Sequence, residues 1–168
     1  MYYHQITTDD MNNGEGLRVV LWVAGCNHYC FNCHNKITWD ASDGLPFDFE
    51  TMKELKKYLS HDYISGLTLS GGDPLYPSNR EAIYKIIITI KEEMPDKTIW
   101  LYTGYTWEEI NDDISMKRCL PFIDVLVDGP FIDDLKDINY HWAGSTNQRV
   151  IDVKKSLEEG SMILYENH

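Results

Sequence analysis

Apolar residues in this chain fall into short runs separated by amphipathic stretches. Arg18-Val-Val-Leu-Trp-Val23 is an apolar run of strand length and predicts a buried strand. From Phe49 to Leu59 the spacing puts Phe49, Met52, Leu55 and Leu59 on one helical face. Gly66-Leu-Thr-Leu-Ser70 predicts a second strand, which runs into Gly71-Gly72-Asp73-Pro74. Ser78 and Glu81 then have capping-box spacing. Behind them Ala82, Ile83, Ile86, Ile87 and Ile90 form the stripe of a helix that stops before Pro95. Thr98-Ile-Trp-Leu-Tyr102 is a third strand, ending at Thr103-Gly104, and Thr106 with Glu109 marks a further short helix. Ile123-Asp-Val-Leu-Val127 is a fourth strand, ending at Asp128-Gly129-Pro130. The segment after Arg149 reads as one or two edge strands.

Strands alternating with helices predict an α/β fold with a mostly parallel sheet and right-handed crossovers. In such sheets ligands bind at the carboxyl ends of the strands. The distinctive sequences fall there. A cysteine-rich loop follows the first strand, Gly71-Gly72 the second, Thr103-Gly104 the third and Asp128-Gly129 the fourth. The length of 168 residues fits one domain over 1–168, with no internal repeat or long linker.

The cysteine loop carries the strongest chemical signal. Cys26, Cys30 and Cys33 lie within eight residues, and no fourth cysteine is near. A four-iron cubane normally takes four thiolates, so three leave one iron free to bind a small molecule. A zinc site completed by His28, His34 or a distant histidine also fits the residue types. Cys119 stands apart and reads as a small buried hydrophobe. Gly71 and Gly72 at a strand end allow close backbone approach to a ligand, and a tight strand-to-helix turn explains them equally well. Trp22, Trp39 and Trp100 read as core.

Charge and composition narrow the partners. A net charge of −12 argues against a nucleic-acid partner. No run reaches the roughly 18 apolar residues of a membrane span, and the first ten residues lack the pattern of a signal peptide. Bunched cysteines suggest metal-binding thiols in a reducing compartment, hence the cytoplasm.

Cys26-x-x-x-Cys30-Phe31-x-Cys33 followed by Gly71-Gly72-Asp73-Pro74 resembles the radical S-adenosylmethionine enzymes. Further motifs resemble one family of glycyl-radical-enzyme activases, those acting on the anaerobic ribonucleoside-triphosphate reductase. They are Asn13-Gly-Glu-Gly16, Asn35-Lys36 with Thr38-Trp39, Trp100 with Thr103-Gly104-Tyr105, Val125-Leu-Val-Asp-Gly129 and Gly144-Ser-Thr-Asn-Gln148. The resemblance implies a compact partial (βα) barrel or open sheet of the radical S-adenosylmethionine type. It implies a [4Fe-4S] cluster on Cys26, Cys30 and Cys33, with S-adenosylmethionine chelating the fourth iron. Gly71, Gly72 and Asp73 would bind the methionine part, Asn32, Cys33 and His34 would lie along the adenine, and Thr103 and Asp128 would add polar contacts. Asn147 and Tyr105 are further polar candidates. The implied partners are the large reductase subunit, bearing the glycine to be oxidised, and reduced flavodoxin or a similar one-electron donor. Three alternatives remain: an activase of pyruvate formate-lyase or another glycyl radical enzyme, a small-molecule radical enzyme such as a deazapurine synthase, and a zinc-stabilised interaction module without catalysis.

Overall fold

The computed structural model describes residues 1–166. Seven strands form one sheet: β1 (Tyr2–Asp10), β2 (Leu17–Val23), β3 (Leu45–Pro46), β4 (Ile64–Gly71), β5 (Thr98–Tyr102), β6 (Val125–Asp128) and β7 (Arg149–Asp152). Their order is β3-β1-β2-β4-β5-β6-β7. The central pairings β2–β4, β4–β5 and β5–β6 are parallel, whereas β1–β2, β1–β3 and β6–β7 are antiparallel. The sheet is therefore mixed, not mostly parallel, because both flanks return by antiparallel strands. The four parallel strands are the four the apolar runs predicted.

Helices α1 (Phe49–Leu59), α2 (Arg80–Glu93), α3 (Trp107–Asp112), α4 (Ile114–Lys117) and α5 (Val153–Glu159) complete the described elements. Side chains alternate across a strand, so each strand feeds two layers. Val19, Leu21, Leu67, Leu69, Ile99, Leu101, Leu126 and Ile151 face one way. They pack with Leu55, Ile83, Ile87, Ile110, Met116 and Val153, which come from all five helices. The opposite face holds a smaller cluster of Trp100, Val125, Val127 and Val150, against which Trp142 and Tyr165 pack. Helices thus cover one face only.

Arg18 anchors the other face. Its guanidinium is fully buried. It donates to Thr68 Oγ1 (2.7 Å), Thr98 Oγ1 (2.9 Å) and the carbonyls of Leu67 (2.8 Å), Thr98 (3.0 Å) and Glu15 (3.1 Å). It also lies over the Trp100 ring at 5.5 Å. Burial pulls its pKa down to about 10. One side chain so joins β2, β4 and β5.

Several local expectations need correcting. Phe49 is exposed, and Thr51 fills the buried position in the first turn of α1. The Asp48 side chain accepts from Thr51 N–H and starts that helix. Ser78 and Glu81 do not cap α2. Its N-cap is Asn79, whose side chain makes no capping bond. The Asn79 amide instead donates to Ala24 O (2.8 Å) and Asp73 O (3.1 Å), tying the helix start to two loops. Thr106 and Glu109 do form a capping box on α3. Of the one or two edge strands expected after Arg149, β7 forms; α5 follows with Asp152 as its N-cap, and the chain beyond it returns to pair with β7 through an antiparallel bridge between Ile151 and Leu164.

Candidate metal centre

The loop from Cys26 to Trp39 leaves the end of β2 and returns beside its own start. Gly25 N–H donates to Thr38 O (2.7 Å) and Cys26 N–H to Trp39 O (3.1 Å), so both ends are pinned. Between them Tyr29 and Asn32 adopt left-handed backbone, φ 50° and 54°. Asparagine tolerates this region; tyrosine does so at a cost. The Asn32 side-chain amide donates to Asp133 Oδ2 at 3.0 Å, which anchors the loop's far side.

The three thiols border one cavity of about 140 Å³. Its remaining wall is Ser70, Gly71 and Gly72 at the end of β4, Tyr102, Thr103 and Gly104 at the end of β5, and Gly129 after β6, with His28, Asn35, Phe131 and Gln148. Every parallel strand contributes its carboxyl end. Among the described residues no three His, Cys, Asp or Glu side chains converge on a single-ion position. Burial, with Asp73 and the neighbouring thiols adding to it, pushes Cys26 up to about 12; burial also raises Cys30. Metal binding must therefore displace their protons.

Asp73 is the structural hub behind this cavity. Its carboxylate is buried and lies 2.6 Å from His28 Nε2. It also accepts from Thr103 Oγ1 (2.9 Å), Gly104 N–H (3.0 Å) and Leu75 N–H (2.7 Å). His28 sits edge-on to Tyr105 with ring centres 4.7 Å apart. The cysteine loop, the Gly-Gly-Asp turn and the Thr103-Gly104 turn are thus clasped at one carboxylate.

The glycines differ in role. Gly71 has φ +105°, and a Cβ there would meet Val23 backbone at 2.6 Å. A Cβ on Gly72 would meet Gly25 O at 2.5 Å and Thr38 O at 2.8 Å. Close approach of the chain to itself therefore already requires both.

Cys26, Cys30, Cys33, Gly71, Gly72 and Thr103 are brought together around the cavity, as their motifs suggested. Asn32, His34, Asp73 and Asp128 do not line it. His34 packs edge-on to Phe131 at 5.9 Å. Buried Asp128 accepts from Arg149 Nη2 (2.5 Å) and Nε (3.0 Å) and from Trp107 N–H (2.6 Å). The Asn147 side-chain amide donates to Pro130 O at 2.8 Å and ties the loop before β7 to the one after β6. His28, Ser70, Tyr102 and Gln148 were not singled out as parts of one cavity wall. The sequence signals for them are separate: His28 as a possible zinc ligand, Gln148 as the end of the Gly144–Gln148 motif, and Ser70 and Tyr102 as strand ends. Cys119 is buried away from the cavity.

A family model described as a 4Fe-4S single cluster domain matches residues 12–151, which defines the chain as an iron–sulfur protein of that class. The anaerobic ribonucleoside-triphosphate reductase-activating protein of Enterobacteria phage T4 is 47% identical over 150 residues, covering 89% of this chain and 93% of the relative. The proteins of the same name from Vibrio cholerae serotype O1 and Escherichia coli strain K12 are 45% and 43% identical, with 88% and 89% of this chain and 96% and 97% of each relative covered. This chain belongs to the family of anaerobic ribonucleoside-triphosphate reductase-activating proteins.

Proposed function

We propose that this protein is a radical S-adenosylmethionine activase of the anaerobic ribonucleoside-triphosphate reductase. The observation that carries the reading is the cavity itself: three thiols, no fourth cysteine among its walls, and strand-end backbone opposite them. Cys26, Cys30 and Cys33 would hold a [4Fe-4S] cluster, which supplies one electron to cleave the sulfonium C–S bond and leaves an iron for the ligand's amino and carboxylate groups. The cleavage would give methionine and a 5′-deoxyadenosyl radical, which would take a hydrogen atom from a glycine Cα of the reductase to give 5′-deoxyadenosine and a glycyl radical.

The chain's own residues bind and orient. Backbone at Ser70, Gly71 and Gly72 offers carbonyls to an ammonium group, since no side chain intervenes at the glycines. The His28–Asp73–Thr103 clasp fixes the cysteine loop against these carbonyls. Helix cover on one face only fits the partial barrel expected of the superfamily. The electron must come from a strong reductant, for which reduced flavodoxin or a similar protein is the proposed donor. No helix among the described residues is long and apolar enough to cross a membrane, which is compatible with a cytoplasmic reductase partner.

Anaerobic reconstitution with iron and sulfide, reduction, and addition of S-adenosylmethionine with the reductase tests this directly. The expected result is 5′-deoxyadenosine together with a glycyl doublet in the EPR spectrum of the reductase. Protein that holds zinc and no iron, or holds four irons and never cleaves S-adenosylmethionine, would overturn the proposal. Turnover without a protein partner would favour a small-molecule enzyme.

A further inference from the structure

The Gly144-Ser-Thr-Asn-Gln148 motif is bonded almost residue by residue to the loop after β6. The antiparallel β6–β7 ladder ends with Asp128 opposite Arg149, and side chains carry the pairing onward. Gln148 Nε2 donates to Gly129 O (2.9 Å), Asn147 Nδ2 to Pro130 O, and Ile132 N–H to Ser145 Oγ (3.1 Å). Ser145 Oγ also donates to Asn147 Oδ1 (2.6 Å), and Gln148 Oε1 accepts from Gly144 N–H (2.9 Å). Ser145 is fully buried.

The consequence falls on Phe131. Pro130 O and Phe131 N–H belong to one trans peptide, in which the two point in opposite directions. Asn147 holds the oxygen. The N–H on the other side bonds the Cys30 sulfur and acts against the rise that burial gives that thiol. Ser145 fixes the next peptide through Ile132 N–H. Phe131 lines the cysteine cavity beside Cys30, and Asp133 holds Asn32 of the cysteine loop. The other two sulfurs take donors from within their own loop, His28 N–H at Cys26 and Asn35 N–H at Cys33 (3.4 Å). The Phe131 donor comes from a distant part of the chain and needs a separate support.

Reduction of an iron–sulfur cluster adds negative charge that its sulfurs share. An N–H bonded to a sulfur therefore stabilises the reduced form more than the oxidised one and raises the potential. Buried Asp73 and a net charge of −12 act in the opposite direction.

We propose that Asn147 and Ser145 are positioning residues for electron entry: they hold the Pro130–Phe131 peptide with its N–H on the Cys30 sulfur and so raise the reduction potential of the cluster. The inference rests on the three-thiol cluster of the function proposed above and adds which residues tune it.

The test is the midpoint potential of the reconstituted full chain, read by EPR-monitored redox titration without S-adenosylmethionine or the reductase. Phe131→phenyllactate, introduced by nonsense suppression, puts an ester oxygen in place of the N–H and keeps the ring. It is expected to make reduction about tenfold less favourable, a potential about 59 mV lower for one electron. Asn147→Ala is expected to shift the equilibrium the same way by about threefold to tenfold. The double variant should go no lower than the ester alone, because both changes remove the same bond. Iron per chain should stay at the wild-type value; if Asn147→Ala holds no iron, Ser145→Ala takes its place at the same clamp. An unmoved potential in the ester variant, or shifts that add in the double variant, would overturn the inference. If the wild-type protein forms no four-iron cluster, the proposed function falls and this inference with it. A wild-type protein that cleaves S-adenosylmethionine, with an ester variant of unchanged potential, removes the tuning alone.

Discussion

At the residue scale the four cysteines divide sharply. Cys26, Cys30 and Cys33 face a shared cavity, whereas Cys119 is buried in the helix-side core. Cys119→Ala should therefore keep four irons per chain after reconstitution, while alanine at any of the other three should lose most of them; iron and sulfide analysis decides. The Cys119 thiol has a pKa pushed up to about 11 by burial. A thiol raised in the folded state favours folding while neutral. Its contribution is complete below the unfolded value near 9.0 and is lost as pH rises towards 11. Wild-type stability should fall by about 2–3 kcal/mol more than that of Cys119→Ala across that window, measured by urea unfolding. Asp73 gives a second test. Asp73→Asn would set an amide NH₂ against Leu75 N–H or Gly104 N–H, at a cost of about 2–4 kcal/mol. Its cluster should be stripped faster by a chelator before any S-adenosylmethionine is added. An unchanged stripping rate would show that the carboxylate acts on the ligand and not on the loop.

At the element scale the four parallel strands, α1, α2 and the α3 cap were legible because apolar spacing and caps act locally. Strand β1 was not, since only Tyr3 along it is buried and its other positions are mixed. Helix α5 was missed for a similar reason: Val153 and Ser156 are its only buried residues, too few for a stripe. The cap of α2 was misread because Asn79 bonds to distant loops, a tertiary use that no local pattern reveals. The site followed the same division. The cysteines and glycines announced themselves by spacing, whereas Asp73 turned out to hold His28 and Thr103 only once three strand ends met. Arg18, which begins a predicted strand, became its strongest cross-strand tie. Arg18→Lys retains charge but lacks the planar fork that reaches five acceptors. It should destabilise the fold by about 3–5 kcal/mol in denaturant titration, because the acceptors and the cation are left poorly matched in a buried site. A loss under 1 kcal/mol would show that water satisfies them instead.

At the scale of the whole molecule, the sheet presents its parallel strand ends to a small, open depression and not to an enclosed pocket. The cysteine cavity, about 140 Å³, is well below the roughly 300–1,000 Å³ of ordinary small-molecule sites. The polypeptide alone therefore does not enclose an adenosyl ligand. On the proposed reading, the cluster supplies the missing wall and the direct bond. Any ligand that binds only the native state stabilises it by RT ln(1 + [L]/Kd), about 2.7 kcal/mol at a hundredfold excess over Kd. In a chain of 168 residues that corresponds to roughly 5–10 °C in Tm. Anaerobic calorimetry should show this shift on adding S-adenosylmethionine to the iron-loaded protein and no shift in metal-free Cys26→Ala. Equal shifts in the two proteins would mean that the polypeptide holds the ligand unaided, and the cluster would no longer be needed to explain why three thiols and four strand ends meet at one edge of the sheet.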